Sequence, residues 1–135
     1  MATHAQVRRI ALSLPETVEA KGTFAFSVLS NGKVNRFIWL WKERVHPRKA
    51  RVPNPKVLAL RTASLDDKEF LLAAQPELFF TEPHYNGYPA VLLRLDLVAA
   101  KELRPLLTEA WRAQAPKELQ AAGPARRRVS PPRRS

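Results

Sequence analysis

An α+β domain is the fold class the sequence predicts, with one antiparallel sheet of about four to five strands flanked by helices. Three observations carry it. Periodic segments run in the order helix, three strands, helix, strand, helix. Asn31-Gly32 joins two of those strands as a two-residue hairpin, a turn whose central positions both need positive φ. The 135 residues are 45% apolar and 26% charged, the balance of an ordinary globular chain with one core.

The elements follow in order. Thr3 and Gln6 form a capping-box pattern, and Val7, Ile10, Ala11 and Leu14 share one helical face until Pro15 ends the helix. Phe24, Phe26 and Val28 alternate with Ala25, Ser27 and Leu29, as in a strand. The return strand, Val34 to Trp41, has Val34, Arg36, Ile38 and Leu40 on one face and Asn35, Phe37, Trp39 and Trp41 on the other. Both faces are mostly apolar, so a central strand is expected. From Lys42 to Pro55 the run KERVHPRKARVPNP predicts a solvated loop. A third strand is expected over Lys56 to Thr62. Ser64 with Asp67 opens a second helix, whose Asp66, Asp67 and Glu69 suit the positive helix end, and Pro76 closes it. Leu78-Phe79-Phe80 reads as an apolar plug, PHYNGYP (83–89) as a turn, and AVLLRL (90–95) as a strand. The last helix runs from about Ala99 to Gln114 with Leu103, Leu107, Ala110 and Trp111 on one face. Pro105 should kink it or mark its true first turn. Core residues should include Ile10, Leu14, Phe26, Ile38, Leu40, Leu58, Leu60, Leu92 and Leu107. Residues 1–119 are read as one domain and 120–135 as a disordered basic tail.

Composition removes whole classes of function. Without cysteine there is no disulfide scaffold, thiol nucleophile, iron–sulfur cluster or cysteine-ligated zinc. The glycines at 22, 32, 87 and 123 fit neither the dinucleotide nor the P-loop pattern. His4, His46 and His84 form no metal-ligand pairing, and no G-x-S-x-G is present, so neither a metal, another cofactor nor an enzyme is expected. The longest strictly apolar runs, Phe37 to Trp41 and Phe70 to Ala74, are too short to span a bilayer. The start, MATHAQVRRIALSLP, lacks a signal-peptide core. A cytoplasmic protein is expected, with no membrane partner and a monomer as the default.

Charge is the abnormal quantity. Lys and Arg total 23 against 12 Asp and Glu, a net charge of +11 and a pI near 10.9. The excess is clustered. Between residues 36 and 61 lie Arg36, Lys42, Arg44, Arg48, Lys49, Arg51, Lys56 and Arg61 against Glu43 alone. The end of the chain adds Arg126, Arg127, Arg128, Arg133 and Arg134 with no acid. Such clustering points to a polyanionic partner.

The strings FFTEPHYNGYPAVLLRLDLV, ELRPLLTEAWRAQAPKEL and IALSLPETVEA resemble the MmcQ/YjbR family of small bacterial proteins over roughly residues 5 to 119. The most specific blocks are Pro83-His84-Tyr85, Gly87-Tyr88-Pro89 and Glu109-Ala110-Trp111-Arg112. The resemblance implies a CyaY/frataxin-like, "double-wing" fold and a DNA-binding label, and it supplies no catalytic residues. The segment RVHPRKARVPNP and the arginine tail depart from the family pattern, and they hold nearly all the excess charge.

A nucleic-acid-binding protein, without sequence preference and with DNA favoured, is therefore the expected function. The residues expected to contact phosphate are Arg36, Lys42, Arg44, Arg48, Lys49, Arg51, Lys56, Arg126, Arg127 and Arg128, each contact releasing counterions. No recognition helix is visible. Phe37, Trp39 and Trp41 interleave with cations as a stacking platform would, yet three aromatics on one strand face are read first as core, with Trp41 the most exposed. His84, Tyr85 and Tyr88 mark a possible pocket, although the turn's rings are expected to pack over the sheet edge. The alternative function is a binding module for a protein or small anionic ligand centred on PHYNGYP.

Overall fold

Thr3 opens helix α1 (His4–Ser13), its side chain accepting from Gln6 N–H while Gln6 returns a bond to the Thr3 backbone. The computed structural model describes residues 2–122. Strands β1 (Thr17–Glu19), β2 (Ala25–Ser30), β3 (Lys33–Glu43) and β4 (Val52–Arg61) follow. After them come α2 (Leu65–Ala74), β5 (Phe79–Phe80), β6 (Ala90–Arg94), α3 (Ala100–Gln114) and α4 (Lys117–Ala122). The sheet is antiparallel throughout, in the order β1-β2-β3-β4-β6-β5.

The α+β class and the central place of β3 match expectation, but six strands exceed the four to five expected. The extra edges are β1, which pairs with β2, and β5, which turns the Leu78-Phe79-Phe80 plug into a strand beside β6. Strands of three and two residues carry no readable alternation. The β2–β3 hairpin has the expected turn: Asn31 and Gly32 adopt φ of 52° and 80°. Ser64 caps α2 by accepting from Asp67 N–H. Pro105 stands in the second turn of α3, not its first.

Two register irregularities change the predicted faces. Phe26 pairs with Ile38 but Ser27 with Arg36, so Phe37 is an extra residue on β3. The bulge sends Phe37 and Ile38 to the same side, and Phe37 leaves the face shared by Trp39 and Trp41. The second irregularity corrects the expected loop. β3 continues to Glu43 and β4 begins at Val52, so Lys42 pairs with Pro53 and only residues 44–51 connect the strands. Pro53 and Pro55 are tolerated because β4 pairs with β6 only from Val57 onward; their stretch has one free edge.

The helices cover one side of the sheet. Val7 and Ile10 of α1 and Leu103, Leu107 and Trp111 of α3 pack with Phe26, Ile38, Leu58, Leu60, Phe79 and Leu93. Phe26, Phe37 and Trp111 are fully buried, each contributing roughly 1.5–3 kcal/mol. Of the expected core, Leu40 is only half-buried, and Leu92 is buried on the opposite face. That second face carries Val57, Ala59, Ala90 and Leu92, with Trp39, Trp41 and Phe80 around them and, among the described residues, no α-helix side chain packed on them. The residues from Pro83 to Pro89 fold across part of it.

Candidate functional site

The face away from α1 and α3 presents an aromatic surface. Alternation along β3 puts Trp39 and Trp41 there, β5 adds Phe80, and the 83–89 turn adds His84, Tyr85 and Tyr88. Each indole is anchored by its N–H: Trp39 Nε1 donates to Tyr85 Oη at 3.1 Å, and Trp41 Nε1 donates to Glu82 Oε2 at 3.3 Å. Trp41 and Phe80 meet edge to face with centroids 5.5 Å apart. Arg94 lies over Phe80 at 4.3 Å, and Arg61 over Tyr88 at 5.1 Å. Trp39 and Trp41 are both half-buried, where the platform reading needed exposure and the core reading needed burial.

A lysine that the sequence reading passed over holds the turn in place. Lys68 is 2% exposed, and its Nζ donates to the carbonyls of Tyr85 at 2.6 Å and Tyr88 at 2.9 Å. Burial pushes its pKa down, which the nearby Glu69 opposes. Its signal was helical spacing: Lys68, Leu71 and Leu72 occupy the inward side of α2, while Leu65 and Phe70 are exposed. Gly87, at φ 78°, supplies the left-handed position that lets the chain turn back toward β6. Tyr85, the buried ring of the turn, packs against the sheet face instead of its edge. Burial raises its pKa, which the bond from Trp39 opposes.

Two clefts open on this surface. One, about 320 Å³, is lined by Trp39, His84, Tyr85 and Tyr88, so the three residues of the possible pocket do come together. The other, about 360 Å³, shares Trp39 and Tyr88 and adds Arg36, Arg61 and Gln114. Among the described residues, no carboxylate lines either cleft.

The basic residues divide into two groups. Arg36 stands beyond the β2–β3 bulge, near Arg61 and away from the β3–β4 connection. In that connection, Arg44 folds back onto the carbonyls of Pro47 and Lys49. Arg51 is committed to the Lys42 carbonyl and, at 3.4 Å, to Glu82. The Lys56 ammonium makes a 3.9 Å contact with the exposed Asp96, worth little in water. Lys42, Arg48 and Lys49 are exposed, and Glu43 at the base is bonded to Asn54. Arg126, Arg127 and Arg128, with the expected tail from residue 123 on, lie outside the described residues; residues 120–122, expected to be disordered, instead end helix α4.

The remaining motifs are structural. Trp111 of the Glu109–Arg112 block donates from Nε1 to the Pro15 carbonyl at 3.0 Å, tying α3 to the end of α1. Arg112, itself buried, pairs with Glu109 at 3.5 Å. Among the described residues, no three His, Asp or Glu side chains group as metal ligands would. No helix there is long and apolar enough to cross a membrane.

No family model matches the chain. It is 35% identical over 127 residues to the uncharacterized protein Rv2570 of Mycobacterium tuberculosis and, to the same extent, to Mb2600 of Mycobacterium bovis. Those alignments span 88% of this chain and 93% of each relative. The crystal structure of Deinococcus radiodurans protein DR2400, a DUF419 domain, superposes with a TM-score of 0.62 at 23% identity over 89% of both chains. The helix-backed antiparallel sheet is thus the DUF419 fold, and by sequence the chain belongs to the family of these mycobacterial proteins.

Proposed function

We propose that the protein is a non-catalytic, cytoplasmic nucleic-acid-binding member of the MmcQ/YjbR family, with DNA as the favoured partner and no sequence preference. One observation carries the reading: the β3–β4 hairpin projects past β6 and displays Lys42, Arg48 and Lys49 in solvent. Clustered, unneutralised cations on a projecting element engage a phosphate backbone by releasing its counterions. The DUF419 fold and the PHYNGYP and EAWR blocks support the family assignment. A second reading, a module for a small anionic ligand, is favoured by the acid-free clefts beside the Lys68-pinned turn.

The test is a salt series on duplex DNA binding by the parent and the Lys42→Ala, Arg48→Ala, Lys49→Ala triple variant. Because these side chains are exposed, folding should be preserved. The slope of log K against log salt should shrink by about 0.9 per lost contact, about 2.7 in all. A variant with the parent's affinity and slope would remove the hairpin as the binding surface.

A further inference from the structure

We infer that the paired clefts beside the aromatic surface form a site for one unpaired nucleotide, the base held at Trp39, His84 and Tyr88 and the phosphate between Arg36 and Arg61. This deepens the nucleic-acid reading and rests on it for the longer strand, while the site itself stands on separate residues. The two clefts share Trp39 and Tyr88 among their lining residues, so an aromatic compartment lies beside a cationic one. At about 320 Å³ the first lies at the small end of ligand pockets, suited to a planar ring system.

The polar groups match both halves of such a ligand. Tyr85 Oη accepts from Trp39, which leaves the phenol's own proton for a base-edge acceptor. Arg61 Nε donates to the Pro89 carbonyl at 3.0 Å, Nη1 donates to Tyr88 Oη at 3.5 Å and the guanidinium lies over the Tyr88 ring. The side chain is thus held in place while Nη2 makes no bond among the described residues. Arg36 is exposed, and its side chain has no partner among the described residues. Among the described residues no carboxylate lines either cleft, so the lining side chains place no negative charge against a phosphate. A paired base within a duplex keeps both faces covered by its neighbours, so a stacking cleft selects unpaired nucleotides.

The same chemistry comes from a free nucleotide or from one unit of a single strand, and three probes separate them: thymidine monophosphate, an oligothymidylate and a blunt duplex. Fluorescence quenching and anisotropy are read on the full chain and on Tyr88→Ala, Tyr88→Phe and Arg36→Ala, with melting as the folding control. Tyr88→Ala should lose about tenfold or more in oligothymidylate affinity, as for one stacked base, and Tyr88→Phe should keep it. Arg36→Ala should reduce the single-strand salt slope by about 0.7. Duplex binding should be unchanged in the two Tyr88 variants. Binding of the monophosphate alone, lost in Tyr88→Ala, would uphold the cleft as a free-nucleotide site and overturn the nucleic-acid reading. Polymer binding indifferent to all three substitutions would overturn the cleft and leave the hairpin reading standing. A parent that binds none of the probes would overturn both.

Discussion

Replacing Lys68 by methionine should loosen the turn that covers the aromatic face while nearly conserving side-chain volume. The ammonium donates to two carbonyls, Tyr85 at 2.6 Å and Tyr88 at 2.9 Å. Hydrogen bonds from a charged group are worth about 1.5–3 kcal/mol each, so their gross loss is roughly 3–6 kcal/mol. Several terms give part of that back. Both carbonyls keep a second donor, Tyr88 N–H on Tyr85 and Ala90 N–H on Tyr88, so neither is left bare. Methionine also removes the desolvation cost that depresses the lysine pKa. The net should be about 1–3 kcal/mol of destabilisation, or roughly 4–12 °C in melting temperature for a domain of this size. Urea unfolding supplies the energy, and tryptophan fluorescence of the native state reports whether Trp39 keeps its place against Tyr85. A methionine variant at least as stable as the parent, with an unchanged spectrum, would refute the staple.

Gly32→Val should cost roughly 1–2 kcal/mol in urea unfolding, because φ there is 80° and an added Cβ meets nothing within 4 Å, so backbone strain is the main cost; equal stability would refute the turn assignment. Tyr85 should ionise above the ordinary phenol value of 10.0, seen as a phenolate absorbance step missing from Tyr85→Phe. Since the folded pKa is the higher one, its share of stability is intact below 10.0 and is lost as pH rises from there through the folded value. A Tyr85 step at or below 10.0 would overturn the burial argument.

Features that a few neighbouring residues decide were legible in the sequence. The α1 capping box, the Ser64 cap and the Asn31-Gly32 turn each depend on contacts within four residues, and each stands in the structure as read. The inward rows of α1 and α3 followed from helical spacing in the same way. Clustering of basic residues could also be read directly, although the division of Arg36 from the hairpin could not. What tertiary structure decided were pairings across the sheet. A bulge at Phe37 moved that ring to the helix side, and a missing β6 partner allowed β4 to run through Pro53 and Pro55. Lys68 reached carbonyls seventeen and twenty residues away, and Arg36 met Arg61 and Tyr88 in one cleft. The reason is physical. Caps and turns are governed by local backbone sterics and hydrogen bonds, which short stretches of sequence specify. Register, edges and clefts come from the packing of distant segments, where inserting one residue reverses every face beyond it.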